Sequence, residues 1–343
     1  MKNFLSALII ITLSLTLFTG CSKKENSGTT KEAKKKTYEY NYAVFFPATH
    51  LQAKTAEAWA KEIEKRTEGQ IKITMFFGGT LSNATQTYEA VESGIADMGM
   101  SAFAYTRGRF PLLEGLDLPV GYPDGKTATK AANEMVKKYQ PEELSGVHVL
   151  YIHAHGPGIL ASKKEIHKAS DLEGLQIRGT GLSAKIVEAL GANPISMSQG
   201  DTYEALQKGV VDATFCPVET LKGWKQGEAI DYVIDTRSIG YTTTMFAVMN
   251  KDKWNALPEN LQNVISEVSD EWIEKQGKAW DQADDEGRAF VSDLGKTFID
   301  LSDAENEAFV KAMQPIFASY IAETEKQGLP GKAFISDLQS MLK

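Results

Sequence analysis

Apolar residues along this 343-residue chain switch repeatedly between two spacings. Residues 38–44, Tyr-Glu-Tyr-Asn-Tyr-Ala-Val, read as a strand. Ala56, Trp59, Ala60 and Ile63 then recur at i, i+3, i+4 and i+7, an amphipathic helix that closes near Gly69. Ile71, Ile73, Met75 and Phe77 alternate with Lys72 and Thr74, a second strand. This strand–helix–strand rhythm predicts a largely parallel sheet covered by helices. Far along the chain, residues 258–294 carry helical signals almost without a break. Leu261, Val264, Ile265 and Val268 mark one face, and Trp272, Ile273 and Trp280 continue it. Pro258 suits the first turn. A helix of that length would brace two lobes, and a further helical stretch over 303–326 would close the core.

The chain also repeats itself. Residues 88–97 and 203–212 both read Tyr-Glu-Ala-apolar-x-x-Gly-apolar-apolar-Asp. Each predicts a helix ended by a glycine cap and followed at once by a strand. Two such units far apart predict two lobes of similar α/β build. Ligands of open α/β sheets sit at the carboxyl ends of strands. The residues after each echo, 98–103 and 214–217, are therefore expected to face a cleft between the lobes.

Three further features narrow the picture. A net charge of −8 lacks the basic footprint of a nucleic-acid binder. Residues 1–20 read as a secretory signal: Lys2 supplies a positive charge, residues 4–18 are almost wholly apolar, and the run is too short to span a bilayer. It ends in Thr19-Gly20-Cys21, which resembles the bacterial lipoprotein signal and implies that Cys21 is lipidated. Residues 21–36 are rich in Lys, Ser and Thr and read as a flexible tether to the membrane. If Cys21 carries lipid, Cys216 has no disulfide partner.

No catalytic constellation emerges. Gly179-Thr180-Gly181 has Ala184 at the third glycine of a dinucleotide fingerprint, and Ser183 lies in Gly-Leu-Ser-Ala-Lys, with Lys185 where a nucleophile elbow has its second glycine. His153 and His155 would share a strand face but lack zinc-like spacing to other ligands. Cys216 has no sequence-evident base. The expectation is a protein without metal or cofactor. An exported α/β enzyme using His153, His155 or Cys216 is the alternative reading.

The order of segments resembles the DctP-type solute-binding proteins of TRAP (tripartite ATP-independent periplasmic) transporters. Its carriers are Phe76-Phe77-Gly78-Gly79-Thr80-Leu81, the first echo, Leu116-Asp117-Leu118-Pro119, residues 171–178, Gly191-Ala192-Asn193-Pro194-Ile195 and the second echo. The resemblance implies a two-lobed, periplasmic-binding-protein-like α/β fold with a central cleft and a long bracing helix. It also implies delivery of an organic acid to a TRAP-type permease; a component that presents ligand to a sensor is a variant of the same reading. The expected organisation is residues 37–156 plus 243–275 in one lobe and 157–242 plus 276–343 in the other.

Arg178 matches the family's carboxylate-binding arginine, whose two parallel N–H donors suit a carboxylate as lysine does not. The sequence departs from the family's pattern at Gly158, where many members carry a second arginine, at Phe215-Cys216-Pro217, where Glu-Asn-Pro is common, and around Ala84. These departures point away from dicarboxylates and sugar acids and toward a monocarboxylate with an apolar or aromatic body. Phe103 and Phe215 would hold that body, with Tyr241 and Trp224 near the hinge. Ser101, Cys216, His155, Arg107 and Glu219 complete the candidates for polar contact.

Overall fold

The computed structural model describes residues 36–342. Along the chain the elements are β1 Tyr38–Val44, α1 Leu51–Arg66, β2 Ile71–Phe77, α2 Thr87–Glu92, β3 Met98–Ala102, α3 Gly125–Tyr139, β4 Val147–Ala154 and β5 Ile159–Ser162. They continue with β6 Gln176–Gly179, α4 Leu182–Ala189, β7 Asn193–Ser196, α5 Gln199–Gln207, β8 Ala213–Cys216, α6 Thr220–Gly223, β9 Tyr232–Asp235 and β10 Thr244–Asn250. The chain closes with α7 Lys251–Asn255, α8 Glu259–Asp293, β11 Thr297–Asp300, α9 Asp303–Ala312, α10 Gln314–Lys326 and α11 Gly331–Met341.

The strands form two sheets, ordered β2-β1-β3-β10-β4 and β11-β9-β5-β8-β6-β7. Each is mixed rather than largely parallel: β10 runs antiparallel to β3 and β4, and β5 antiparallel to β8 and β9. The reason lies in the crossings. The chain leaves the first sheet at β4 and enters the second at β5, then returns through residues 236–243 into β10. The crossing segments are tied together: Thr242 Oγ1 donates to the His155 carbonyl at 2.6 Å and Gly158 N to the Tyr241 carbonyl at 3.2 Å.

Both echoes fold as their pattern predicts, with Gly94 and Gly209 at positive φ after the helices. The aspartates that end them also share a task. Asp97 accepts from Asn41 N of β1 at 2.9 Å, and Asp212 accepts from Gln176 N of β6 at 3.0 Å. Each carboxylate thus ties a neighbouring strand to the start of its own.

The 35-residue helix α8 packs on both halves of the molecule. On one side Trp272 Nε1 donates to Thr55 O of α1 at 2.8 Å, and Gly277 lets the Lys126 backbone of α3 approach closely. On the other, a Cβ on Gly287 would strike the Val218 backbone, so glycine is what seats α6 there. The helical stretch over 303–326 is broken at Met313 into α9 and α10. Pro315 stands in the first turn of α10, where its missing N–H is harmless, whereas a continuous helix would lose a bond there. The final helix α11 returns Phe334 and Leu338 to the core cluster of the first sheet.

Candidate functional site

A small cavity of about 30 Å³ lies between the two sheets, at the carboxyl ends of β1, β6 and β8. Six of the sequence-predicted residues line it: His155, Arg178, Phe215, Cys216, Glu219 and Tyr241, with Trp224 beside them. Arg178 sits on β6 and is 3 % exposed. Its Nε and Nη2 donate to the Met197 carbonyl at 3.2 and 3.0 Å, and its Nη1 to the Phe215 carbonyl at 3.3 Å. A guanidinium has five N–H donors. Three are spent on backbone, which fixes the plane, and the other two, one on each terminal nitrogen, are not used by the backbone and lie within reach of the Tyr105 hydroxyl.

The walls are aromatic. Phe45 stacks on Trp224 at a ring separation of 5.8 Å and meets Tyr105 edge-on at 5.7 Å. Phe215 and His155 each meet Tyr241 edge-on, at 6.1 and 5.9 Å. A Cβ on Gly158 would collide with the Tyr241 ring, so the phenol occupies the space that a longer side chain there would need.

Among these walls stand three buried groups without a hydrogen-bond partner: Gln199 Nε2, Trp224 Nε1 and Tyr241 Oη. All three can donate. A buried donor left unpaired costs roughly 1–3 kcal/mol, so their convergence favours a ligand rich in acceptors. The His155 side chain contacts the Gly156 carbonyl through Nδ1, which places its proton there. Burial pushes this imidazole down to about 4, so it is neutral near pH 7 and keeps Nε2 as an acceptor.

Two predicted residues lie elsewhere. Ser101 is fully buried on β3, where its hydroxyl donates to the Ala84 carbonyl at 2.6 Å. The Phe103 ring packs on Phe110 at 4.8 Å and Phe246 at 5.2 Å, in the core of the first sheet. It borders a second, larger cavity of about 520 Å³ together with Arg107, Glu114 and Lys185. His153 does not line the small cavity: it lies behind Phe46, its Nδ1 accepts from Trp280 Nε1 at 3.0 Å, and burial pushes it down to about 3. The Cys216 thiol is pushed up to about 12 by burial, which makes it inert as a nucleophile at pH 7. No metal-binding group of three His, Cys, Asp or Glu occurs among the described residues. Cys21 lies outside the described residues, and none of the described helices is long and apolar enough to cross a membrane.

Sequence reasoning missed Phe45, Phe46, Tyr105 and Gln199. Phe45 and Phe46 follow β1 directly, so the strand-end rule that singled out residues 98–103 would have found them had it been applied to every parallel strand. Contacts join the halves: Gln199 N donates to Tyr105 Oη at 3.0 Å and His50 meets Glu219 at 2.6 Å beside the small cavity, while Lys185 pairs with Glu114 at 2.9 Å beside the larger one.

Two α/β lobes that close on a buried guanidinium and unpaired donors define a solute-binding protein of the two-lobed, extracytoplasmic kind. Residues 42–324 match the DctP family, described as bacterial extracellular solute-binding protein, family 7, and the chain belongs to it. A TRAP periplasmic solute-binding protein from Desulfovibrio salexigens is 33% identical, with a TM-score of 0.78 over 89% of this chain and 95% of that one. One from Bordetella bronchiseptica, with bound (R)- and (S)-mandelate, is 27% identical, with a TM-score of 0.83 over 89% of this chain and 98% of that one. The 2,3-diketo-L-gulonate-binding periplasmic protein YiaO of Escherichia coli is 28% identical over 77% of this chain and 84% of its own length. The chain is therefore a solute-binding protein of the TRAP kind and not an enzyme.

Proposed function

We propose that the captured acid is a monocarboxylate with an apolar or aromatic body, held by Arg178 in the small cavity. The observation that carries this reading is a single guanidinium with two N–H donors not used by the backbone, set among aromatic rings. The carboxylate takes that fork, which is stronger than two neutral bonds. Two of the donors on Gln199, Trp224 and Tyr241 fill the carboxylate's two remaining lone-pair sites, and the third meets another acceptor on the ligand. Phe45, Phe215 and Trp224 hold the body by burial and ring stacking, the latter worth about 0.5–1.5 kcal/mol. The mandelate complex of the Bordetella relative supports an aryl acid.

A cavity of about 30 Å³ is far smaller than the roughly 150 Å³ that admits a benzene ring. Binding therefore requires the lobes to part, and the ligand then favours the closed arrangement through contacts to both. A thermal-shift panel tests the ligand class, because a ligand that binds only the folded state raises the melting temperature. Aryl and branched monocarboxylates are expected to give the largest shifts. Shifts with malate, succinate or 2,3-diketo-L-gulonate, and none with aryl acids, would overturn the reading.

Attachment to the membrane is proposed to run through a lipid on Cys21, from the apolar run that ends in Thr19-Gly20-Cys21. The mature chain is then expected to begin at an acylated Cys21. A mature N-terminus at any other residue would refute this.

A further inference from the structure

We infer that Glu219 reads the ligand's second polar group: it accepts a hydrogen bond from a hydroxyl or ammonium remote from the ligand's carboxylate, and it turns away a second carboxylate. The inference rests on the monocarboxylate reading above.

Glu219 stands just before α6, lines the small cavity and is 2 % exposed. Among the described residues its carboxylate has one side-chain partner, His50, with Nε2 2.6 Å from Oε2. The other ring nitrogen of His50 accepts from Gln52 N at 3.2 Å, as the N-cap of α1. Nδ1 therefore carries no proton, and Nε2 carries the one that Glu219 accepts. The imidazole is neutral, and the charge of Glu219 is not cancelled by it. Gly223 makes this bond possible, since a Cβ there would lie 2.5 Å from His50 Nε2 and 2.7 Å from Glu219 Oε2.

Asp284 Oδ1 accepts from the backbone N of Glu219 at 2.8 Å. A carboxylate has room for about four hydrogen bonds, and Glu219 receives one. Among the residues lining the cavity, Arg178 is the only cation and Glu219 the only anion, His155 being neutral. Arg178 takes the ligand's carboxylate. A second carboxylate would lie near Glu219 with no cation to offset it, and buried like charges repel strongly at low dielectric. A hydroxyl or ammonium there supplies the donor that Glu219 lacks.

Calorimetry on the wild-type protein and Glu219→Gln, with benzoate, 3- and 4-hydroxybenzoate, 3-(aminomethyl)benzoate and isophthalate, tests this. On the wild type, at least one donor-bearing probe is expected to bind about tenfold more tightly than benzoate, and isophthalate at least about tenfold more weakly, since unpaired buried groups discriminate on that scale. Whether a hydroxyl or the ammonium binds best identifies the donor. In Glu219→Gln, both discriminations are expected to collapse: each probe's affinity, taken as a ratio to that of benzoate in the same variant, falls to within about threefold of one. A preference that survives Glu219→Gln, or benzoate binding with no preference in the wild type, would overturn the role of Glu219 alone. If the variant loses its folded circular dichroism spectrum, the wild-type series still decides. Absence of binding by every benzoate would overturn the aryl-acid reading and this inference with it.

Discussion

Residues 88–97 and 203–212 share a sequence pattern and a construction. In both, a helix ends at a left-handed glycine and an aspartate ties the next strand to its neighbour. Beyond the aspartate they part. The second strand, β8, delivers Phe215 and Cys216 to the small cavity, and the Phe215 carbonyl helps to fix Arg178. The first strand, β3, is wholly buried at the centre of its sheet. Its Ser101 is used by the Ala84 carbonyl and the following Phe103 turns into the core. The cavity receives Tyr105 instead, two residues further on. The repeated pattern builds the scaffold of each lobe, and residues outside the repeat choose what faces the ligand.

The largest expected effect falls on the second lobe. Arg178→Ala leaves a buried carboxylate without its partner, which costs about 3–5 kcal/mol, or a loss of affinity of about two to four orders of magnitude. Arg178→Lys is expected to recover only part of it, because an ammonium lacks the planar fork. Calorimetry with the best ligand from the thermal-shift panel reads this directly. Near-native affinity in Arg178→Ala would move the site away from β6.

The two phenylalanines after the echoes should separate next. Phe103→Ala removes a core ring and is expected to lower stability by about 3–5 kcal/mol while changing affinity little. Phe215→Ala, from a ring that is both core and cavity wall, should lower both. Denaturant unfolding beside calorimetry distinguishes the two. A Phe103→Ala variant that loses affinity as much as Phe215→Ala would restore the symmetry between the echoes that the structure denies.

A smaller effect involves two aspartates beside the interlobe segments. Burial pushes both Asp117, which accepts from Thr244 N at 2.7 Å, and Asp284 up to about 8. The folded chain therefore keeps protons that the unfolded chain releases near pH 4. Raising pH through that window removes stability, since the folded state binds more protons. Buried His153 and His155 act oppositely: their depressed values mean that stability falls as pH drops below about 6.5. The two opposing effects overlap below about 6.5, and the aspartates act alone above it. Each retained proton is worth about 1.4 kcal/mol per pH unit, so with two of them stability is expected to decline between pH 6.5 and 8 by about 2 kcal/mol per unit. Asp117→Asn with Asp284→Asn should flatten the decline, as read from melting temperature against pH. An unchanged slope in the double variant would assign it to other groups.

Much of the architecture was legible in the sequence. Periodicity located β1, α1, β2 and the long α8, because each keeps one spacing over several turns or pleats and buries one face. The antiparallel partners were not legible, because β5 and β10 are continuous apolar runs whose direction depends on where the chain crosses between sheets. The break at Met313 was available from Pro315. At the site, Arg178 was found through the family resemblance alone, since nothing in Gln-Ile-Arg-Gly distinguishes a buried arginine from a solvated one. The hydrogen bond between His50 and Glu219 joins residues 169 apart and has no local signature.

Native mass spectrometry, followed by analysis of small molecules released on denaturation, tests the assignment most directly. Protein purified from its own host under gentle conditions is expected to release a single monocarboxylate with a ring or branched apolar body. The Arg178→Ala variant, prepared the same way, should release none. Recovery of a dicarboxylate or a polyhydroxylated acid from the wild type, or of the same acid from Arg178→Ala, would contradict the account.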